Sequence, residues 1–355
     1  MRILIVTQVM DRSDSTLGFF VRWVEELARR TETLTVVCLK EGDHSLPENV
    51  TVHSLGKEAL GPSPRGVKRI FRKMTYSFRF LLLAWSKRGE YDRVFVHMNQ
   101  EYILIAGLLW KALGKPVYMW RNHYAGSFLT RIAGALSRKV FCTSRYSYTA
   151  RFAKTVIMPV GSDTDYLSDM PDVERVSGSI LVSGRVSASK NIHQIVEALG
   201  MIASEGSSFT ADIYGSTTPE EASYRERIIQ EIKELGLADR VHVHDAVPST
   251  ETKYLYASHE FAVNASPSGM LDKTMFSAMG RRCILISCNK DLKPDVPAEL
   301  HFEEGSVPDL ARALRAALVL TDDKKEEYRE RMEKLVFSTH SLSALADKLV
   351  NEMSS

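Results

Sequence analysis

The sequence predicts an α/β protein of two doubly wound, Rossmann-like domains facing a cleft, and three observations carry that expectation. The chain has 355 residues, more than one domain of roughly 100–200 residues. Short β-rich runs alternate with helical patterns in both halves, the rhythm of parallel sheets covered on both faces. From residue 158 to 178, "MPVGSDTDYLSDMPDVERVSG", proline, glycine and acidic residues break that rhythm. We expect an N-terminal domain over residues 1–165 and a C-terminal domain over 166–339, with a last helix, about 340–355, packing back on the first domain. Ligands of such sheets sit beyond the carboxyl ends of the strands, so two facing sheets place a site between them.

The elements follow in order. "MRILIVTQVM" has an apolar core of only "ILIV" and no small-residue cleavage site, so it reads as a first strand and not as a signal segment. Then come "FFVRWVEELARR" (helix), "LTVVCLK" (strand), a long basic helix, "RVFVHM" (strand), "YILIAGLLWKALG" (helix), "PVYMWRN" and "KVFCTS" (strands). The second half repeats the pattern with "SILVSGR", "HQIVEALGMIA", "FTADIYG", "YRERIIQEIKELG", "RVHVHDA", "TKYLYASH", "FAVNAS", a helix from Asp272, "CILIS", and terminal helices from about Val307 and Leu342.

Composition excludes several classes. With 46 Lys and Arg against 44 Asp and Glu, the overall balance points to neither nucleic acid nor an acidic partner. Cys38, Cys142, Cys283 and Cys288 show no CxxC spacing, and three lie in apolar runs where a thiol acts as a small hydrophobe; a reducing cytoplasm is expected. The longest apolar streak, "FLLLAW", is far short of the ~20 residues that span a bilayer. No GxGxxG turn follows either first strand, which ranks a dinucleotide oxidoreductase low.

Two helix starts could hold phosphate. In "SILVSGRVSASKNIHQIVEAL" a strand ends at Gly184 and a small-residue loop carries Arg185 and Lys190 into an amphipathic helix. Unpaired amides at a helix start favour an anion, and the two cations add to that field; a pair of solvated loop cations is the alternative, and the residues alone leave both open. In "NASPSGMLDKTMFSAMGRRCILIS" a second helix starts at Asp272-Lys273. A carboxylate suits that position as a simple cap, whereas Lys273 is disfavoured there unless another anion is near. Met275, Phe276 and Met279 form a core-facing stripe.

Taken together, "STLGFFVRWVEELA", "WRNHY", "VFCTSRYSY", "VIMPVGSDTDYL", "GRVSASKN", "DIYG" and "SPSGMLDKTMFSAMGRRCILIS" resemble, in order and interval over nearly the whole chain, the retaining glycosyltransferases of GT-B fold, family 4 (group 1). The resemblance implies a nucleotide sugar in the C-terminal domain and the acceptor in the N-terminal one. It implies Arg185 and Lys190 on the diphosphate, His123 near the transferred sugar, and donor contacts from Gly18, Gly184, Gly215, Gly269, Met270, Leu271, Asp272, Lys273 and Ser277. His123, Arg185 and Lys190 are then the catalytic candidates. The family's paired glutamates, E-x7-E, fall on Gly269 and Ser277, so both carboxylates are absent and donor identity is open.

Other residues are read beside this. A lone His after a strand is more often structural; the resemblance is what lifts His123. His97, Asn99 and Glu101 follow a strand end and are acceptor-side candidates. "DTD", residues 163–165, reads as hinge-loop acid and helix cap, and the histidines of "RVHVHDA" lack a third ligand at metal spacing; no metal or other cofactor is expected. Between Arg65 and Arg88 stand eight basic residues and no acidic one, with Val67, Ile70, Phe71, Met74, Phe78, Leu81, Leu82 and Trp85 at helical spacing. That stripe is either core or a surface for anionic lipid. The expected function is transfer of a sugar from a UDP- or GDP-sugar to a glycan or lipid-linked acceptor in polysaccharide biosynthesis, in the cytoplasm or on the inner face of its membrane. The alternative is a non-catalytic nucleotide-sugar-binding protein of the same fold. No nucleic-acid partner is expected.

Overall fold

The computed structural model describes residues 1–14, 17–59, 66–248, 250–269 and 271–355. Met270 and Arg65, both singled out by the sequence, lie outside the described residues. The chain forms two compact units, one of Met1–Gly161 with Leu342–Ser355, the other of Ser162–Ser341.

The first unit runs β1 (Arg2–Met10), α1 (Phe19–Ala28), β2 (Thr33–Glu41), β3 (Val50–Ser54), α2 (Val67–Ser86), β4 (Arg93–His97), α3 (Gln100–Ala112), β5 (Val117–Trp120), α4 (Phe128–Leu136), β6 (Lys139–Cys142) and β7 (Thr155–Ile157). The second runs α5 (Thr164–Ser168), β8 (Val176–Ser183), α6 (Ile192–Ser204), β9 (Thr210–Tyr214), α7 (Ala222–Glu234), β10 (Val241–His244), α8 (Thr252–Ser258), β11 (His259–Asn264), α9 (Lys273–Gly280), β12 (Ile284–Ser287), α10 (Val307–Leu318) and α11 (Asp322–Thr339). The chain then returns to the first unit as α12 (Leu342–Ser354).

Both sheets are parallel, with orders β3-β2-β1-β4-β5-β6-β7 and β10-β9-β8-β11-β12. Each is a doubly wound order that reverses direction beside its first strand, so each unit is Rossmann-like, with a switch point between β1 and β4 and another between β8 and β11. β4, β11 and β12 are almost wholly buried, β1 is buried from Ile3 to Thr7 and β8 from Ser179 to Val182, as strands covered on both faces must be. α12 closes the first core by burying Leu345, Ala346, Leu349 and Met353 beside Trp23 and Leu27 of α1. Lys348 Nζ donates to Ile157 O at 2.8 Å and Tyr118 Oη to Met353 O at 3.0 Å.

α2 departs from the reading of its stripe as core. Only Phe80 and Ala84 are buried, whereas Val67, Ile70, Phe71, Met74, Phe78, Leu82 and Trp85 are 48–67 % exposed. No described helix is long and apolar enough to cross a membrane.

Candidate functional site

At the second switch point the topology brings two loops together. β8 ends at Ser183 and β11, its neighbour, ends at Asn264, so the loop carrying Arg185 and Lys190 lies beside the turn carrying Asp272. Gly184 takes φ 136°, a conformation costly for any residue with a Cβ. Next to it, a Cβ on Gly215 would stand 1.8 Å from Gly184 O. Bare backbone at the ends of β8 and β9 is therefore a packing requirement. It lets the Gly184 amide donate to Tyr214 O at 3.0 Å and the Val186 amide to Ser216 O at 2.9 Å.

Lys190 donates through Nζ to an Asp272 carboxylate oxygen and, at 3.3 Å, to Ser266 Oγ. Asp272 caps α9, its other oxygen accepting from the Thr274 amide at 3.2 Å. Asn264 Nδ2 reaches Thr274 Oγ1 at 3.2 Å. The loop is tied down by Asn191, a left-handed residue at φ 52° whose Nδ2 donates to Ala265 O at 3.0 Å. Burial pushes the Asp272 carboxyl up, but the charge and hydrogen bond of Lys190, the Thr274 amide and Asn264 outweigh it and hold the group below its ordinary value. Arg185 is exposed, and its guanidinium has no hydrogen-bond or ion-pair partner among the described residues. The pair therefore divides into a fixed cation, Lys190, and one left available, Arg185, at a helix start that already favours anions.

Lys273 follows the cap and is half-buried; burial pushes its ammonium down to about 7, with the Asp163 carboxylate pulling the other way. That carboxylate caps α5, accepting from the Tyr166 amide at 3.3 Å, as the cap reading of "DTD" expects. Asp163 thus answers part of the question raised by a lysine at a helix start, from a distance in sequence that local patterning does not reach. Leu271 is buried, Ser277 is partly buried, and Gly269 takes φ 109°. Met275, Phe276 and Met279 are core.

The remaining candidates belong to the first unit. His123 Nδ1 lies 2.9 Å from the Ala125 amide and 3.1 Å from Ala125 O, accepting from the one or donating to the other according to its tautomer; the ring stacks on Tyr124 at 4.5 Å. Gly18 precedes α1 and donates its amide to Asp14 O at 2.9 Å. His97 stands deeper than the other acceptor-side candidates, Asn99 and Glu101. It is 2 % exposed, stacked on Phe20 at 4.0 Å and 3.4 Å from Thr7 Oγ1, because the last residue of a central strand points into the α1 layer. Asn99 and Glu101, just beyond it, line a cavity of about 490 Å³ with Gln8, Lys73, Tyr76 and Ser77. Sequence reading missed this hollow and the α2 residues in it; its only trace in the sequence was the polar Lys73-x-x-Tyr76-Ser77 face of an otherwise apolar and basic helix.

The histidine pair of "RVHVHDA" contacts Asp212, His244 Nε2 at 2.6 Å and His242 Nδ1 at 3.8 Å, and His259 Nε2 joins at 3.2 Å. No group of three or more His, Cys, Asp or Glu suited to a metal ion occurs among the described residues.

Residues 177–335 match the family model of glycosyl transferases group 1. The GtfA subunit of a UDP-N-acetylglucosamine–peptide N-acetylglucosaminyltransferase from Streptococcus parasanguinis is 24% identical over 169 residues, 46% of this chain and 32% of that protein. The chain thus spans about a third of the length of that curated relative. Among solved structures, HepE of Anabaena in complex with UDP superposes with a TM-score of 0.75 at 15% identity, covering 100% of both chains. Sucrose-phosphate synthase from Thermosynechococcus elongatus gives 0.76 at 16%, covering 99% of this chain and 98% of that one. These likenesses carry the fold, which is GT-B.

Proposed function

We propose, from the match of residues 177–335 to the model of group 1 glycosyl transferases and from the GT-B fold of the chain, that the protein transfers a sugar from a UDP- or GDP-sugar to a glycan or lipid-linked acceptor with retention of configuration. The observation that carries this is the β8–β11 switch point, where Lys190 is fixed by Asp272 and Arg185 is left available beside two glycines. That is the chemistry a diphosphate needs: amides, a point charge and a planar fork.

In the reaction the bond from the anomeric carbon to the diphosphate oxygen breaks and a bond to the acceptor hydroxyl forms on the same face. The acceptor proton passes to the departing phosphate oxygen. Arg185, Lys190 and the loop amides stabilise the charge that builds on the diphosphate, the preorganised electrostatic effect that dominates such catalysis. This role needs no metal. To the donor we assign Leu271, Asp272 and Lys273 with Gly18, Gly184, Gly215, Gly269 and Met270; Ser277 offers a hydroxyl to the ribose, and His123 offers a ring nitrogen to the sugar. Asn99 and Glu101 serve the acceptor. A place in polysaccharide biosynthesis, on the cytoplasmic face of a membrane, fits a lipid-linked acceptor.

A second reading, a nucleotide-sugar-binding protein without transfer, is favoured by Gly269 and Ser277 standing where the family's glutamates stand. Turnover decides between them. Stabilisation by UDP or GDP with sugar release or transfer supports the enzyme; stabilisation without either, across UDP- and GDP-sugars and a panel of acceptors, leaves the binding protein. No stabilisation by any nucleotide overturns both.

A further inference from the structure

The near balance of charge in the whole chain conceals a division between the units. Met1–Gly161 with Leu342–Ser355 holds 26 Lys and Arg against 14 Asp and Glu, whereas Ser162–Ser341 holds 20 against 30. The net charges are therefore +12 and −10. A field of that size on one unit selects anionic surfaces.

α2 concentrates both features that such a surface rewards. Its exposed residues Val67, Ile70, Phe71, Met74, Phe78, Leu82 and Trp85 recur at steps of three and four, one continuous stripe along the helix. Lys68, Arg72 and Arg79 lie about 100–140° round the helix from the stripe's centre, and no acidic residue occurs between Gly66 and Gly89. A soluble surface rarely leaves so many large apolar side chains contiguous. Membrane-surface helices do so, laying the apolar stripe into the acyl boundary with Lys and Arg at the head groups. A second copy of the chain would bring the same cations against their own image, which disfavours self-association on this face.

The other side of the helix is hollow. Lys73, Tyr76 and Ser77 line the cavity that Asn99 and Glu101 share, and Tyr76 Oη is buried there without a hydrogen-bond partner among the described residues. One helix therefore carries an apolar, cation-flanked outer face and, behind it, the Lys73 ammonium and the Tyr76 and Ser77 hydroxyls, which share with the Gln8 and Asn99 amides and the apolar Leu39, Leu104 and Ile105 a cavity with room for a sugar-sized head group.

We propose that α2 seats the N-terminal unit on an anionic bilayer and that the cavity behind it receives the polar head group of a lipid from that bilayer. This rests on the transferase reading and narrows it: the acceptor is a membrane-held amphiphile and not a soluble glycan.

The test uses the full chain with vesicles of phosphatidylcholine alone or with one third phosphatidylglycerol. Flotation is expected only with phosphatidylglycerol, weaker at high salt. Phe71→Glu with Phe78→Glu, or Lys68→Glu with Arg72→Glu, lowers the partition at least tenfold; Phe71, Phe78 and Lys68 are exposed and Arg72 is partly so, and an unchanged melting temperature in each variant establishes that folding is preserved. For the cavity the probe is octyl glucoside below its micelle threshold. It raises the melting temperature of the parent but not of Ser77→Trp, which fills the cavity and still floats, and free glucose at the same concentration has no effect on either. Binding indifferent to phosphatidylglycerol, or a dimer formed through the stripe in place of lipid binding, overturns the docking. Equal response of parent and Ser77→Trp to octyl glucoside, or none in the parent, overturns the cavity assignment. UDP stabilisation is read in the same samples: its absence with flotation intact refutes the transferase reading and not the docking.

Discussion

Lys273 carries the sharpest consequence for a single side chain. With its ammonium pushed down to about 7 by burial, it is half charged near neutrality, and a bound diphosphate favours the charged form. UDP binding should take up a proton and weaken about tenfold or more between pH 6.5 and 8.5, a dependence that Lys273→Met removes; calorimetry in buffers of different ionisation enthalpy measures both. The same shift bears on folding. The unfolded chain binds the proton up to about pH 10.5, the folded chain only to about 7. Lys273 thus lowers stability below pH 7 and the loss is relieved as pH rises from 7 toward 10.5. Lys190→Ala acts differently, removing a charge-assisted hydrogen bond of ~1.5–3 kcal/mol from any diphosphate and also from Asp272. UDP affinity should drop about tenfold or more, and the Asp272 carboxyl should rise in pKa, followed by carboxyl NMR.

Within elements, caps and pairs across strands set the local stability. Asp272→Ala removes the N-cap of α9, worth ~0.5–2 kcal/mol, and leaves Lys190 without its anchor, so both melting temperature and UDP affinity should fall. Beside the edge strand of the second sheet, Asp212 of β9 is held below its ordinary value by the hydrogen bond from His259, against burial, and by another from His244. A depressed carboxyl stabilises the fold above its unfolded pKa of about 3.9 and loses that contribution as pH falls through the folded value. Asp212→Asn should flatten the acid limb of the stability curve, read from urea midpoints between pH 5 and 3. α11, "DDKKEEYRERMEKLVFST", was the helix least visible beforehand. Its buried face, Lys325, Tyr328, Met332 and Val336, opens on a charge, because the Lys325 ammonium meets the buried Glu260 carboxylate at 3.0 Å. Tyr328, Met332 and Val336 keep helical spacing, but so thin a stripe among charges is a faint signal.

For the whole molecule, α12 is the element joined to its unit across the greatest distance in sequence. Leu345, Leu349 and Met353 are essentially unexposed in the first unit, and burial of such side chains contributes ~1.5–3 kcal/mol each. Deleting residues 342–355 should therefore destabilise the first unit by several kcal/mol while the second still responds to UDP, seen as one transition lost from a two-transition melt. The opposite charges of the units, +12 and −10, were invisible in the total because the assignment of each residue to a unit is a matter of fold.

The sequence by itself determined the class of fold and the position of the two loops at the second switch point. Alternation of strand and helix is written in local apolar period, and Gly184, Arg185, Lys190, Asp272 and Lys273 lie at strand ends that the period marks. Only the tertiary structure decided that Lys190 is paired with Asp272, that Asp163 stands behind Lys273, that His97 is core, and that the stripe of α2 faces outward over a hollow. Period tells which side of a helix is apolar; whether that side meets a core or solvent depends on neighbours far along the chain, and no local pattern encodes them.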